Sequence, residues 1–439
     1  MTVDRRGFVV RTGAGAAGLT IGLSGCGPGT GGGAQGAGVG AQGAVSGEWP
    51  TDPEALEARY RDNIYTRLLG VRPHLPAHEH VSRLGGGRMD AEVIAAMAEA
   101  NEFFVDMNEL LAAAGARIAE RLGTEAALVT AGGFSAMVLG AAGCLTGTDP
   151  ERVHALPLPT WPRRECLIQA PHRFGYDRAY RDAGMTIVEA ETREDFRARL
   201  TGRTAMIAAL ATAERQTLFA PPAPVDWAPA PGPEVMTVRE QIEIGRDAGV
   251  PVLVDMASDL PTGVGLREFV EAGADLIVIS GGKGIGGPQS SGILAGRADL
   301  VEAARVNASP NDGIGRGMKV GKEEIVGLVV ALDRYAERDV ESWVAGWSDM
   351  ARRIAADLAD VPGLTAEVVT NTAGYEDVEL TWDPDVIPLT TDEAKAGLMA
   401  AEPRLAYLMT VRTRLLREGE DALVARTLRN FFTEAAATA

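Results

Sequence analysis

An apolar run ending in a carboxylate, Val252-Leu-Val-Asp255, is followed by a second apolar run that enters a glycine loop carrying a lysine, Ile277-Val-Ile-Ser280-Gly-Gly-Lys283. Such runs read as strands of a parallel sheet, which deliver side chains at their carboxyl ends, where α/β folds bind ligands. Asp255 and Lys283 would then face one crevice. The pair suits pyridoxal 5'-phosphate (PLP). That cofactor takes a lysine as its Schiff-base partner and a carboxylate beside its pyridinium nitrogen, which keeps the nitrogen protonated and lets the ring absorb a carbanion's electrons. Once displaced by a substrate amine, Lys283 would serve as the base at Cα. Its neighbours Gly281, Gly282, Gly284, Gly286 and Gly287 carry no side chains, a density that leaves room for a bulky ligand.

These groups need elements to hold them. Ala127-Leu-Val-Thr130 reads as a strand, Ala131-Gly132-Gly133 as a tight turn and Phe134 to Leu145 as an apolar helix. A strand–glycine–helix junction gathers free backbone N–H groups at the positive end of a helix dipole, so Gly132 and Gly133 are candidates for the cofactor phosphate. Ser280, three residues before the lysine, is placed to bond the same group. Further strands are expected at Cys166–Gln169, Thr186–Val188 and Ala205–Leu210, with helices at Leu266–Gly273 and Thr237–Asp247. This alternation predicts a mainly parallel sheet wrapped by helices. Pro221 to Pro233 reads as a surface loop. A long helical stretch from Gly321 to Asp360 leads into a smaller α+β unit that begins with Leu364–Thr370.

Several longer segments carry a family resemblance: Ser82-Arg-Leu-Gly-Gly, Ala126-Ala-Leu-Val-Thr-Ala-Gly-Gly, Gln169-Ala-Pro-His172-Arg173-Phe-Gly-Tyr-Asp177, Ser280-Gly-Gly-Lys-Gly-Ile-Gly-Gly-Pro-Gln-Ser-Ser-Gly292 and Ser309-Pro-Asn-Asp-Gly-Ile-Gly-Arg316 with its continuation to Ile325. From about Asn63 to Phe432 the chain resembles the fold-type I PLP enzymes related to selenocysteine synthase (L-seryl-tRNA selenium transferase). It is most similar to the branch containing D-glucosaminate-6-phosphate ammonia-lyase. The resemblance implies an aspartate aminotransferase-like α/β fold, with a large mainly parallel sheet domain and a small C-terminal α+β domain. It also implies an N-terminal arm against a partner subunit, and His172 stacked on the cofactor ring. The alternative for His172 is a structural histidine. Two departures border the substrate side: His74-Leu-Pro-Ala-His-Glu-His-Val stands where relatives tend to have Ile-Asn-Ala-Cys/Arg-Gly-Thr, and Phe174 stands where they have asparagine.

Arg173 and Arg316 are candidates for a substrate carboxylate or phosphate, because a guanidinium fork matches both. Arg316 lies in a glycine loop and is long enough to reach a neighbouring subunit's site. Gln289 is either a loop anchor or part of the cofactor's surroundings. His74, His78 and His80 would share one face if extended, a pattern that could hold a metal. Pro76 breaks such a strand, and the reading preferred here is a loop at the mouth of the site, with no metal.

The 439 residues, 46% hydrophobic, suffice for one large and one small domain, and the net charge of −18 argues against a nucleic-acid surface. Residues 1–26 carry Arg5-Arg6, a weakly apolar run and Leu23-Ser-Gly-Cys26, the pattern of a twin-arginine export signal with lipidation at Cys26. The competing reading is a cytosolic leader. Residues 27–50 then form a flexible glycine-rich linker, 51–89 the arm, 90–335 the large PLP-binding domain and 336–439 the small domain. The expected location is the outer face of a bacterial cytoplasmic membrane, with membrane contact only through the lipid. Cys144 reads as a buried small hydrophobe, and a Cys144–Cys166 disulfide is disfavoured.

The leading function is a PLP-dependent lyase, acting by α,β-elimination with ammonia release on a small amino acid or amino-sugar acid, in a homodimer or higher homo-oligomer. The alternatives are selenium transfer to seryl-tRNA and an exported PLP-binding lipoprotein without turnover.

Overall fold

The computed structural model describes residues 49–213, 234–261, 265–371, 374–406 and 410–438. The proposed signal, most of the linker and the Pro221–Pro233 loop lie outside them. After a two-residue strand β1 (His74–Leu75) come β2 (Ala126–Thr130), β3 (Glu165–Gln169), β4 (Thr186–Ala190), β5 (Thr204–Leu210), β6 (Val252–Asp255), β7 (Leu276–Ser280) and β8 (Gly292–Gly296). The last seven form one sheet in the order β2-β8-β7-β6-β5-β3-β4. Its pairs from β7 through to β4 are parallel, whereas β8 runs antiparallel to both β7 and β2. Sequence reading missed β8 and its direction.

The central strands are buried on both faces, as their unbroken apolar text requires. Side chains alternate across them: Val252, Val254, Ile277 and Ile279 join one core, and Leu253, Leu276 and Val278 join the other. On the second face lies the helix Gly133–Thr146, apolar on nearly every side and buried along most of its length. Its glycines permit close packing. A Cβ at Gly143 would sit 2.9 Å from the Ala304 nitrogen of the helix Ala298–Asn307.

The expected helix from Gly321 to Asp360 is two helices, Lys322–Ala336 and Val340–Leu358, because the Asp339 side chain caps the second by accepting from the Ser342 N–H at 3.1 Å. The expected Leu266–Gly273 helix shortens to Glu268–Glu271. An antiparallel hairpin follows, β9 (Leu364–Thr370) and β10 (Glu376–Trp382), then β11 (Arg404–Leu405), which pairs in parallel with β1. The N-terminal segment is also stitched to the last helix, Glu420–Ala437. Buried Glu420 accepts both Arg88 amino groups, at 2.7 and 2.8 Å, and the Tyr60 hydroxyl at 2.6 Å. Cys144 and Cys166 are free thiols.

Candidate active site

Asp255 ends β6, beside Leu210 of β5 and Val278 of β7. It is 4% exposed. One oxygen accepts from the Ala257 N–H at 2.8 Å, and no cation lies within ion-pair distance among the described residues. Burial lifts its carboxyl to about 6, against the opposing pull of the Ala257 N–H and the Lys283 ammonium. That ammonium therefore stands near a carboxylate that lacks a bonded cation.

Lys283 follows β7 on a loop that returns into β8. The loop closes on itself: Gly281 N–H donates to Ser291 O at 2.9 Å, Gly287 N–H to Gly281 O at 2.8 Å, and Gly286 N–H to Lys283 O at 2.9 Å. Gly281, Gly282, Gly284 and Gly287 serve close packing rather than open space, which corrects the sequence reading for these four. A Cβ at Gly282 would sit 2.5 Å from Gln289 Cα, and one at Gly284 would enter the Leu260 carbonyl. Gln289, through its Nε2 at 3.5 Å from Ser82 Oγ, ties this loop to the N-terminal segment.

The glycine turn meets the same place. Gly132 has φ +87°, a conformation that excludes most side chains, and no side chain caps the helix start after it. A Cβ at Gly133 would lie 3.3 Å from Ala257 Cβ and 3.8 Å from Ser280 Cβ. Gly132, Gly133, Ser280 and the peptide that binds Asp255 are thus neighbours. A buried carboxylate awaiting a cation, a lysine nearby and an uncapped helix start beside a serine fit the nitrogen, aldehyde and phosphate of PLP. No metal cluster of three or more His, Cys, Asp or Glu occurs among the described residues.

The other sequence candidates are placed differently. His172 is 1% exposed, with Nδ1 accepting from the Leu210 N–H at 3.0 Å and Nε2 2.8 Å from the Met236 carbonyl. Burial pushes its imidazole down to about 4 despite these bonds. Its two ring nitrogens are held between β5 and residue 236. Arg173 is bonded to Asp177 and Glu189, so its guanidinium is engaged within the protein. Arg316 is exposed and makes no side-chain bond among the described residues. His74 and His78 face one another with Nε2 atoms 3.0 Å apart, while His80 turns away to Glu79.

One wall of the site was missed. Arg412 and Arg414, two residues apart and so on one side of an extended segment, donate to Glu79 at 2.6 and 2.9 Å, and the Tyr375 hydroxyl bonds it at 2.7 Å. Burial works against the Glu79 charge, but Arg414, His80 and Arg412 hold the carboxyl well below its usual range. Arg414 also donates to Leu260 O at 3.0 Å, the carbonyl against which Gly284 packs. The alternating arginines of Val411-Arg-Thr-Arg414 were the available signal; nothing local tied them to Glu79.

A sequence model of the L-seryl-tRNA selenium transferase family matches residues 231–345, which include Asp255, Lys283 and Arg316. The 5'-C-glycyluridine monooxygenase-decarboxylase of Streptomyces sp is 34% identical over 343 residues, spanning 76% of this chain and 79% of that protein. The chain belongs to the selenocysteine synthase-like family of fold-type I, PLP-dependent enzymes. Its members here are lyases or transferases. D-Glucosaminate-6-phosphate ammonia lyase of Salmonella typhimurium (strain 14028s / SGSC 2262) is 25% identical over 388 residues, covering 85% of this chain and 99% of that one. A solved structure of D-glucosaminate-6-phosphate ammonia-lyase shares the fold, with a TM-score of 0.72 and 24% identity, over 85% of this chain and 99% of that one.

Proposed function

We propose that the protein is a PLP-dependent lyase that removes the Cα proton of an amino acid or amino-sugar acid and expels a β-substituent, releasing ammonia. The observation that carries this reading is the meeting of Lys283, buried Asp255 and the Gly132–Gly133 turn at the carboxyl ends of β6, β7 and β2. PLP, when bound, supplies an electron sink that stabilises negative charge at Cα. The chain does the rest. Asp255 would accept the ring nitrogen's proton, and a cation there would return its carboxyl to the charged form. The Gly132–Gly133 turn and Ser280 would hold the phosphate through backbone N–H groups and a hydroxyl. Lys283 Nζ would take the Cα proton. Ammonia and a 2-keto acid are the expected products on adding a substrate. Lys283→Ala should abolish both, together with the borohydride-reducible adduct that mass spectrometry would find on Lys283. An adduct on another lysine would overturn the assignment.

A second reading draws on the 34% identical monooxygenase-decarboxylase. Loss of CO2 from Cα uses the same electron sink, so oxygen uptake and CO2 release in place of ammonia would select it. Selenium transfer to tRNA is disfavoured by the net charge of −18. A spectrally PLP-loaded protein that turns over no amine would support the binding-only alternative.

The unbonded Arg316 supports a site shared between subunits, with Arg316 serving the neighbour's substrate. Exposed Ile64, Tyr65, Leu68, Leu69 and Val71, each more than half exposed along the helix Ile64–Leu69 and just past it, suit the covered arm of such an oligomer. The Arg5-Arg6 and Cys26 pattern supports export and lipid anchoring. Replacing both arginines by lysine should leave the protein in the cytoplasm; unchanged export would refute that route.

A further inference from the structure

A cavity of about 120 Å³ lies where the two ends of the chain meet, walled among others by Glu57, Tyr60, Arg61, Arg72, Glu402 and Arg404. None of these residues belongs to the candidate active site. At roughly 30 Å³ per water the space equals about four water molecules, room for a small ion. Sites for larger organic ligands run to about 300 Å³ and more. The Tyr60 hydroxyl is already spent, donating to Glu420 at 2.6 Å and accepting from Arg88 at 3.0 Å, so the free donors of this cavity are guanidinium groups.

The charges here do not cancel. Glu57 is matched twice, by Arg61 at 2.8 Å and by Arg426 at 2.5 Å. Glu402 lies 3.5 Å from Arg61 and 3.5 Å from Arg72, the long limit of a hydrogen bond, and all three side chains are exposed enough for such pairs to contribute little. Arg404 has no carboxylate at ion-pair distance among the described residues. Its Nη1 makes one long bond, 3.4 Å to the Arg72 carbonyl, and its Nε is buried with no partner there. A buried N–H left unmet is costly, and an acceptor in the cavity would relieve it. Four guanidinium groups, Arg61, Arg72, Arg404 and Arg426, thus stand with two carboxylates, a local surplus of positive charge in a chain whose net charge is −18. The neighbouring imidazole reports the same field. His74, paired with Arg404 in the β1–β11 register, is held down to about 4 by burial first, then by His78, Arg88 and Arg404.

We infer that this cavity binds a small tetrahedral oxyanion of the phosphate or sulfate class, held by Arg404, Arg72 and Arg61. A planar guanidinium fork matches two oxygens of such an ion, and three forks can share its remaining acceptors. Arg61 and Arg72 belong to the N-terminal arm, whereas Arg404 lies on β11, so the bound ion would clamp together the two chain ends that β1 and β11 join by backbone alone. The site is separate from the proposed coenzyme phosphate seat at Gly132–Gly133, and it stands whether or not Lys283 is the PLP lysine.

The test is a calorimetric titration of the PLP-loaded protein with inorganic phosphate at low ionic strength, the coenzyme being present so that its own phosphate seat is filled. One phosphate per chain is expected, with a matching rise in melting temperature. Arg404→Gln should weaken binding at least about tenfold, the loss of a charge-assisted fork, and Arg72→Gln should weaken it in the same direction. Glu402→Gln removes the carboxylate that competes for Arg61 and Arg72, so it should tighten binding about two- to fivefold, a gain that a purely structural role for these residues does not predict. Arg67→Gln, whose partner Asp62 lies outside the cavity, should change nothing. Acetate, planar and singly charged, should bind at least about fivefold more weakly than phosphate. Melting temperature without phosphate checks folding; should Arg404→Gln fail to fold, Arg72→Gln and Glu402→Gln carry the comparison. No phosphate binding, binding that both arginine variants leave unchanged, weakening by Glu402→Gln, or acetate binding as tightly as phosphate would overturn the inference. Because dependence on Arg404 and Arg72 marks this cavity, the result stays readable even if no coenzyme is found on Lys283.

Discussion

Asp255 is costly to the empty protein and useful to the loaded one. Its carboxyl, lifted to about 6 by burial, sits above the roughly 3.9 of an unfolded aspartate, so folding favours its protonated form. The penalty is absent below about pH 4, grows between 4 and 6, and is complete above about 7. Asp255→Asn should therefore stabilise the cofactor-free protein at pH 8 by roughly 2–3 kcal/mol, a gain that vanishes near pH 4, while weakening PLP binding. Urea unfolding of both proteins across pH, with a cofactor titration, checks this; a pH-independent difference would refute it. The placement of Asp255, Ser280 and Lys283 at the ends of β6 and β7 was legible because strand ends in α/β proteins deliver their side chains to one edge. His172 and Arg173 were harder. Their neighbours in the text say nothing of the Met236 carbonyl that takes one, or of the Glu189 that takes the other. An extended chain would have aligned His80 with His74 and His78, the pattern set aside above in favour of a loop, and its ring lies toward Glu79 instead.

At the scale of elements, alternation and apolar length sufficed for β6, β7 and the Gly133–Thr146 helix. They did not suffice for β8. Gly292-Ile-Leu-Ala-Gly296 is short, bounded by glycines and preceded by a loop, and direction in a sheet is set by partners rather than by local text. Its first residue is tightly constrained by the glycine turn. A Cβ at Gly292 would lie 2.5 Å from the Gly132 carbonyl carbon and 2.8 Å from the Gly133 nitrogen. Gly292→Ala should push the phosphate turn away from Ser280, costing about 1–3 kcal/mol of stability and weakening PLP binding more than tenfold. Gly346, against which nothing packs, provides the control. Equal effects from Gly292→Ala and Gly346→Ala would remove the claim that this contact shapes the turn.

At the scale of the molecule, Arg316 and the exposed Ile64–Leu69 helix point beyond one chain. Arg316→Ala should weaken substrate binding about ten- to a hundredfold, the value of a charge-assisted contact, with the cofactor spectrum unchanged. Mixed with Lys283→Ala subunits, it should regain part of the activity in hybrid dimers, since one site of the pair would be whole. No recovery in a confirmed hybrid would sink the shared site. The placing of β8 also governs when a site can exist at all. Ala126 pairs with Gly296, and β1 with β11, so the Gly132–Gly133 turn meets Ser280, and the N-terminal segment meets the lysine loop, only through contacts between distant parts of the chain. Such high contact order slows folding. During synthesis, the phosphate turn leaves the ribosome long before the strand that backs it, so a nascent chain stalled before residue 292 should be unable to retain the vitamin B6 coenzyme.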